Sequence, residues 1–341
     1  MPELSARPLM ASALDAALFV DRERELAALE RSITAGLNTL VLGEPGAGKT
    51  SLLHQLERRL GDHAQLMPVF VEGARRAEHP EELLALIAYR LGAEQAPFSP
   101  LGELMQPAGR RPPRTPTEQL LAVLGAVREA LAQTERRTVL IVDELPSGEV
   151  GHTLFGQLRD ELWSLRATWV VGAELGEQAG YLRPPASAFF ETVISVGPLA
   201  ERDALELLRR RAADTDVPDG LLRRVVAVAG GSPRRLVMLA RQSLLEGRSV
   251  EESASARDAR ERHARELGEA AGRLVAYLEA NGAVSASDER MLAELGWSRS
   301  RATQVLRQLE HAGLVEAASE RAQGRRRRVY ALAEQRLPAG S

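Results

Sequence analysis

Short apolar runs alternate with longer amphipathic stretches through the first 197 residues of the chain. The runs are rich in Val, Leu and Ile, which is typical of buried strands, and the stretches between them repeat apolar positions at helical spacing. This alternation predicts an α/β core, in which a parallel sheet has helices on both faces and ligands bind at the carboxyl ends of the strands. The predicted strands are residues 38–42, 65–73, 138–144, 167–174 and 191–197.

The rest of the chain has a different pattern. Residues 251–266 are charged and alanine-rich without an apolar stripe, which favours a linker or a solvated helix. Residues 267–335 predict three amphipathic helices followed by two β-prone stretches around a basic tip. The expected caps of these helices are Ser287 at the start of the second, and Gly282, Gly296 and Gly313 at the three ends.

Two segments lie outside this regular pattern. Residues 1–18 are expected to be an N-terminal extension. Residues 92–117 contain six prolines and little periodicity, which predicts a long exposed loop. Its arginines could meet nucleic acid, although a solvated loop is the favoured interpretation. They are Arg110, Arg111 and Arg114.

Composition narrows the class of protein. The chain has 341 residues, of which 44% are hydrophobic, and it has no cysteine. These values predict an ordinary globular protein of two or three domains and exclude disulfides, thiolate metal sites and cysteine nucleophiles. We find no window near the ~20 apolar residues that a membrane helix needs, and no pattern of a secretory signal peptide at the start. We therefore expect a soluble, cytoplasmic protein.

Lys49 is the one lysine in a chain that otherwise uses arginine, and it lies in "VLGEPGAGKTSLL". This stretch fills the pattern G-x-x-x-x-G-K-[ST], follows a predicted strand and opens a predicted helix, as a phosphate-binding loop requires. Backbone N–H groups of such a loop wrap the β-phosphate, the lysine reaches the β- and γ-oxygens, and the Thr50 hydroxyl binds Mg²⁺. The expected nucleotide-binding residues are Gly43, Glu44, Pro45, Gly46, Ala47, Gly48, Lys49, Thr50 and Ser51.

A second strand, in "TVLIVDE", ends in two carboxylates. This is the pattern of a Walker B strand, in which Asp143 holds Mg²⁺ together with Thr50, and Glu144 orients and deprotonates the attacking water. A buried strand that merely ends in surface acids is the alternative. With the phosphate-binding loop upstream, the pair predicts hydrolysis of ATP with Mg²⁺ as cofactor.

The stretch "FVDREREL", residues 19–26, resembles the box that precedes the phosphate-binding loop in AAA+ ATPases of the origin-recognition/initiator clade and in STAND signalling ATPases. The resemblance implies a P-loop NTPase core over residues 19–197 with a helical lid over residues 198–250. It places Phe19, Val20 and Arg22 near the adenine base. A plain helix N-cap at Asp21 is compatible with the same residues.

The stretch "GGSPRRL" resembles the sensor 2 motif of these ATPases, a helix start whose arginine touches the γ-phosphate. By that match Arg234 is the sensor, with Arg235 as the second choice. On local chemistry alone, the stretch is a helix N-terminus with proline in its first turn.

Two positions depart from the family pattern. Where sensor 1 is an Asn, Ser or Thr, this chain has Glu174, and phosphates would repel a carboxylate there, so we expect slow hydrolysis. The arginine finger has one candidate, Arg183, which would act on the nucleotide of a neighbouring copy and so implies self-association. A surface arginine is the alternative.

Residues 267–335 resemble a winged helix-turn-helix domain of the MarR/ArsR type, of class α+β, and the initiator clade has such a domain in the same place. From 296 to 330 there are eight arginines and three acids, a net charge of +5 in a chain whose net charge is −3. This local charge favours double-stranded DNA as the partner. A winged helix that contacts protein is the alternative.

In such a domain the third helix meets base edges, and the wing contacts phosphates or enters a minor groove. The expected DNA-binding residues are Arg299, Arg301, Thr303, Gln304 and Arg307 on the helix, and Arg325, Arg326, Arg327 and Arg328 on the wing.

The combined prediction is a DNA-binding AAA+ ATPase in which ATP controls homo-oligomerisation. Two alternatives stay open from sequence: a STAND-like signalling or defence ATPase whose winged helix binds protein, and an ATP-responsive transcription regulator.

Overall fold

The computed structural model describes residues 4, 7–95, 115–212, 217–245, 247, 249–322 and 325–333, with some side chains in these ranges left undescribed. The described residues form two compact units: the first lies within 8–197, and the second comprises residues 4 and 7 together with those from 198 onward. Most of the proline-rich segment 92–117, including its arginines, lies outside the described residues. Within the described residues, no helix is long and apolar enough to cross a membrane.

The first unit is built on a parallel sheet of five strands in the order β2-β3-β4-β1-β5. This confirms the predicted α/β class, and each strand lies within two residues of its predicted bounds. The strands are β1 (Thr39–Gly43), β2 (Leu66–Val71), β3 (Arg137–Asp143), β4 (Ala167–Glu174) and β5 (Thr192–Val196).

Helices cover both faces of this sheet. They are α1 (Ala13–Leu18), α2 (Glu23–Thr34), α3 (Lys49–Gly61), α4 (Pro80–Gln95), α5 (Pro116–Ala132), α6 (Gly148–His152), α7 (Arg159–Trp163) and α8 (Gln178–Leu182). A 3₁₀ turn, Ala74–Arg76, follows β2, and a π-helical turn, Thr153–Gln157, separates α6 from α7.

Strand β1 shows why the sheet has two hydrophobic layers. All five of its residues are buried, and successive side chains point to opposite faces. Leu40 and Leu42 belong to the cluster that includes the apolar residues of α4 and α5, whereas Val41 packs with those of α2 and α3. The middle of the sheet is therefore shielded from water on both sides, and its polar chemistry is confined to the strand ends.

The second unit begins with helices where the lid was predicted: α9 (Glu201–Arg211), α10 (Asp219–Ala229) and α11 (Pro233–Leu245). The next segment, expected as a linker or a solvated helix, is α12 (Val250–Glu266). It is helical but not solvated all round, since Arg257 is 7% exposed and pairs with the buried Glu279. The linker prediction missed this contact because it depends on a partner 22 positions further along the chain.

The last segment contains α13 (Glu269–Asn281), α14 (Glu289–Leu295), α15 (Arg299–His311) and the antiparallel strands β6 (Val315–Ala322) and β7 (Arg325–Leu332). Val284 bridges to Tyr330 and ties the first of these helices to the hairpin. The N-cap of α14 is Asp288 and not the predicted Ser287: its carboxylate accepts from the Met291 amide, while Ser287 bonds to Ser285. The winged-helix assignment stays a prediction.

Candidate functional site

The loop between β1 and α3 lies at the carboxyl edge of the sheet and is shaped by glycines. Gly46 and Gly48 have φ of 81° and 99°, a left-handed conformation that side chains disfavour. Gly43 leaves no room for a side chain, because a Cβ there would lie 2.9 Å from the Val196 carbonyl oxygen. The loop then enters the N-terminus of α3, where free amides and the helix dipole favour an anion.

Lys49, the first residue of α3, is buried with only 4% of its surface exposed. Its Nζ donates to the carbonyl oxygens of Gly43 at 2.9 Å and Glu44 at 3.3 Å, and pairs with Glu144 Oε1 at 3.1 Å. An ammonium has three donors, and these partners match that number. The predicted phosphate lysine and the predicted base are thus brought into direct contact.

Thr50 and Asp143 also meet, although β1 and β3 are not neighbours in the sheet. The Thr50 hydroxyl donates to Asp143 Oδ2 at 2.8 Å, and Asp143 Oδ1 is buried without a hydrogen-bond partner. Burial raises the pKa of the Asp143 carboxyl, and the charge of Glu144 raises it further. The Thr50 hydroxyl and the Asp143 carboxylate, with one oxygen unsatisfied, offer the hard oxygen ligands that Mg²⁺ prefers, so the residues present fit the ion.

Glu144 follows β3 and turns the chain sharply. Its φ is 55°, a conformation that costs a non-glycine residue about 1–3 kcal/mol and persists only where the surroundings enforce it. Its N–H donates to the Gly172 carbonyl at 3.1 Å, in the segment where sensor 1 was sought. The carboxylate, in a residue only 7% exposed, bridges Lys49 and Arg75.

Arg75 is a residue of this candidate site that the sequence prediction missed. It lies in the 3₁₀ turn after β2, beside β3 in the sheet, and forms an ion pair with Glu144 Oε2. One signal was available, since carboxyl ends of parallel strands meet at one edge and two adjacent arginines follow the second predicted strand. The sequence alone does not show which of these two arginines contacts the site.

The residues proposed for the adenine pocket are partly buried near the loop. Val20 is 8% exposed, and Phe19 packs on the cluster that includes α2 and α3. Arg22 donates to the Gly197 carbonyl at 2.5 Å and the Ala47 carbonyl at 3.3 Å, and so ties the phosphate-binding loop to the end of β5. The Asp21 cap is wrong: Arg22 precedes α2, with no side-chain cap bond.

The remaining nucleotide-loop residue, Ser51, also has a partner from outside the loop. Its hydroxyl oxygen accepts from the Leu9 backbone N–H at 3.0 Å, which fastens the segment before α1 to α3. Leu9 itself is buried.

The residues proposed as arginine finger and as sensor 2 have contacts that do not assign them a role. Arg183 follows α8, is about half exposed and lies 3.4 Å from Glu149. Arg234 lies in the first turn of α11, after Gly230 and Gly231 with positive φ, as the local helix-start interpretation predicts. Arg235 pairs with Asp258 of α12 at 2.8 Å, so the second choice for the sensor already has a carboxylate partner in its own unit.

Helix α15 presents a basic face. Arg299, Arg301, Gln304 and Arg307 are exposed, while Ala302, Val305, Leu306 and Leu309 are buried. Arg301 lies over the Trp297 ring at 5.7 Å. The half-buried Thr303 donates its hydroxyl to the Arg299 carbonyl at 2.8 Å.

On the hairpin, Arg328 pairs with Glu310 at 2.5 Å and lies 5.4 Å from the Tyr330 ring. The side chains of Arg325, Arg326 and Arg327 lie outside the described residues, although their backbones belong to β7.

Comparison with known proteins identifies a domain family in the first part of the chain. Residues 18–171 match the family model described as AAA ATPase domain, so the chain contains such a domain. No curated protein sequence matches the chain.

Solved structures share the fold over nearly the whole chain. The ORC1 protein of Aeropyrum pernix matches with a TM-score of 0.51 at 21% identity, covering 92% of this chain and 90% of that one. Cdc6p from Pyrobaculum aerophilum matches with 0.52 at 17%, covering 94% and 93%. The ORC2 protein of Aeropyrum pernix matches with 0.53 at 18%, covering 94% and 91%. At these identities the similarity shows a common fold.

Proposed function

We propose that this chain, which contains an AAA ATPase domain, hydrolyses ATP and binds double-stranded DNA, and that ATP controls its self-association on DNA. The observation that carries the proposal is the meeting of Lys49, Thr50, Asp143 and Glu144 at one edge of the sheet. These side chains come from two separate segments of the sequence. Their contacts support the roles that the two motifs predict.

In the proposed reaction, the amides of the glycine loop and Lys49 bind the β- and γ-phosphates. Thr50 and Asp143 would hold Mg²⁺, which would neutralise charge on the phosphate oxygens. Glu144 orients a water molecule and accepts its proton as the water oxygen bonds to the γ-phosphorus; the bond from that phosphorus to the β,γ-bridging oxygen breaks, and ADP leaves.

The two cations on Glu144 support the expectation of slow hydrolysis. Two cations on one carboxylate stabilise its charged form and so oppose transfer of a proton from water to Glu144. In the proposed cycle, the γ-phosphate attracts Lys49 away from Glu144, so that nucleotide binding itself frees the base.

The exposed face of α15 supports DNA as the partner. Three arginines and Gln304 lie on it, and among its described residues the acid Glu310 is paired with Arg328. Arginine and glutamine are side chains that form paired hydrogen bonds with base edges in the major groove. The ORC1 protein of Aeropyrum pernix was solved in complex with DNA, which agrees with this proposal but concerns a protein of 21% identity.

Protein contact, as in a STAND-like ATPase, is the second candidate. The bond from Thr303 to Arg299 and the pair between Arg328 and Glu310 favour it, because they use polar groups that DNA would otherwise contact. An ATP-responsive transcription regulator differs from the main proposal only in the process served.

The test compares two triple variants of the full chain with equal loss of charge. Arg299, Arg301 and Arg307 are changed to Gln in one variant; Arg202, Arg209 and Arg210 of α9, exposed and outside the proposed interface, are changed to Gln in the other. Binding to a fluorescein-labelled duplex is measured by anisotropy across a salt series, with and without ATP.

We expect the α15 variant to lose affinity for the duplex, by about 1–3 kcal/mol for each paired contact to a base edge that is removed. The α9 variant should bind as wild type does. Equal losses in both variants, or a wild-type chain that binds no duplex, would refute the DNA proposal and favour protein contact. ATP hydrolysis is measured separately, and its absence in wild type would refute the ATPase proposal.

A further inference from the structure

The chain enters α2 through a turn of unfavourable backbone conformation. Asp21 and Arg22 have φ of 61° and 71°, so two consecutive residues that carry side chains are left-handed. Such a conformation is rare for residues with a Cβ and persists only where surrounding contacts enforce it. One contact comes from α2, since the N–H of the fully buried Leu26 donates to the Arg22 carbonyl at 2.9 Å. The turn directs the Arg22 side chain into the protein, where the residue is 6% exposed.

The Arg22 guanidinium joins three segments of the chain. Its Nη2 donates to the Gly197 carbonyl oxygen at 2.5 Å and to the Ala47 carbonyl oxygen at 3.3 Å. Its Nη1 donates to the Glu25 carboxylate at 3.0 Å, and this ion pair compensates the buried positive charge. Both hydrogens of Nη2 are therefore used by backbone carbonyls, because a guanidinium nitrogen of this type has two.

The bond to Ala47 also fixes an amide of the phosphate-binding loop. Ala47 lies between Gly46 and Gly48, the two left-handed glycines of that loop. Because a trans peptide is planar, the N–H of Gly48 points away from the Ala47 carbonyl oxygen that precedes it. By holding this oxygen, Arg22 sets the direction of the Gly48 N–H, one of the loop amides expected to contact phosphate.

Strand β5 is the fixed element to which the loop is attached. Gly43, the first residue of the loop, pairs in register with Val196, the last residue of β5. Arg22 then connects Ala47 to Gly197, the residue that follows β5. The loop is thus held at its start by the sheet and near its end by Arg22, so its shape does not depend on a contact with the base.

We propose that Arg22 is a positioning residue for triphosphate binding: it clasps the phosphate-binding loop to the end of β5 and so presets the loop amides for the phosphates, whichever base the nucleotide carries. The inference rests on the proposed nucleotide site. It differs from the adenine contact that the sequence resemblance implies for this arginine. In the proposed role Arg22 touches neither base nor phosphate and acts through the Ala47 carbonyl.

The test measures binding of ATP, GTP and inorganic tripolyphosphate, each with Mg²⁺, to the full chain by isothermal titration calorimetry. Tripolyphosphate has no base, so its affinity reports on the loop alone. Arg22→Met removes the charge and every donor of this side chain. Arg24→Met removes the same charge from an exposed position of the same helix and is the matched control.

We expect Arg22→Met to bind all three ligands about tenfold more weakly, near the lower end of what one hydrogen bond to a charged group contributes. The factor should be the same for each ligand, and the ratio of ATP to GTP affinity should stay that of wild type. The control should bind all three ligands as wild type does.

Arg22→Lys separates the clasp from the charge, and thermal unfolding shows which variants keep the fold. The lysine keeps a cation beside Glu25, but its nitrogen ends one bond short and lacks the planar fork, so it cannot hold both carbonyls in the same way. We expect a common loss for the three ligands, smaller than that of Arg22→Met. If the methionine variant does not fold, the common loss in the lysine variant decides.

Four results would overturn the positioning role. The first is a loss of ATP affinity with tripolyphosphate affinity kept, which would assign Arg22 to the base. The second is a lysine variant that binds as tightly as wild type, which would show that charge alone suffices. The third is an equal loss in Arg24→Met, and the fourth is a wild type that binds ATP but not tripolyphosphate. A wild type that binds no ATP would refute the proposed nucleotide site itself, and this inference with it.

Discussion

Replacing Lys49 tests the nucleotide site most directly. In the structure its ammonium has three acceptors within 3.3 Å, two loop carbonyls and the Glu144 carboxylate. Bound ATP would exchange the carboxylate for phosphate oxygens, with the helix N-terminus adding favourable potential. Lys49→Ala removes the charge and leaves both the phosphates and Glu144 without this cation.

The expected loss follows from the contacts removed. A hydrogen bond to a charged group contributes about 1.5–3 kcal/mol, so two bonds to the β- and γ-oxygens amount to roughly 3–6 kcal/mol. At about 1.4 kcal/mol for each factor of ten, ATP affinity should fall by roughly 10²- to 10⁴-fold.

Lys49→Arg tests whether ATP affinity depends on the shape of the cation as well as on its charge. Lys49 is almost fully buried, and its Nζ lies 2.9 Å from the Gly43 carbonyl, so a planar guanidinium has no room without moving the loop. Overpacking of this kind costs typically about 1–3 kcal/mol, which predicts a loss of affinity of roughly 5- to 150-fold.

Isothermal titration calorimetry with ATP and Mg²⁺ measures each affinity, and circular dichroism verifies folding. Arg58→Lys, an exposed position on the same helix, is the matched control and should bind as wild type does. An arginine variant at position 49 with wild-type affinity would refute the claim that the pocket requires the smaller cation.

Three further predictions concern the neighbours of this lysine and a separate tyrosine. Glu144→Gln should bind ATP normally and slow its hydrolysis by orders of magnitude, so that the assembled state accumulates. Size-exclusion chromatography with ATP measures this assembly. A variant that stays monomeric under conditions where wild type assembles would contradict the proposed cycle. Arg75→Ala should speed ATP turnover by about fivefold, because it removes one of the two cations from Glu144, an effect of ~1 kcal/mol on the barrier. The control, Arg76→Ala at an exposed position, should leave the turnover rate unchanged. Slower turnover in Arg75→Ala would mean that Arg75 aids the base. Burial raises the pKa of Tyr277 to about 12, whereas the phenol in the unfolded chain has the ordinary pKa of 10.0. Between pH 10 and pH 12 the folded state therefore keeps a proton that the unfolded state has lost, and the free energy of unfolding should fall as the pH rises through this range. Tyr277→Phe should flatten that fall, which pH-dependent thermal unfolding measures, and an unchanged profile would place the titration elsewhere.

The parts of the site that could be predicted are those set by local pattern. Buried parallel strands appear as continuous apolar runs, and their carboxyl ends share one edge of the sheet, so Thr50 and Asp143 could be expected to meet although 93 positions separate them. The glycine loop and its lysine follow from a motif whose physical requirements are strict.

The parts that were missed depend on contacts that no local pattern encodes. The close crossing of α6 and α8 depends on Gly148 and Gly180, which let the two backbones touch, and those glycines could equally have marked loops. Helix α12 looked solvated because its arginines are numerous, yet Arg257 and Arg260 both pair with Glu279 of α13. Burial of that carboxyl raises its pKa, as expected of a charge that needs partners to be buried.

A net charge of −3 for the chain does not argue against the proposed DNA interface. At 0.1 M salt the screening length is ~10 Å, so a phosphate on the duplex responds to the nearby arginines and not to the sum over the chain. Arg299, Arg301 and Arg307 span eight helical positions, or roughly 12 Å along α15, which is comparable to one screening length. In the proposed complex they would act together on a groove of similar width, whereas acids farther away would contribute little repulsion. At low salt, where screening is weaker, the distant negative charge would disfavour approach of DNA to other surfaces and leave the basic face of α15 as the preferred side of encounter.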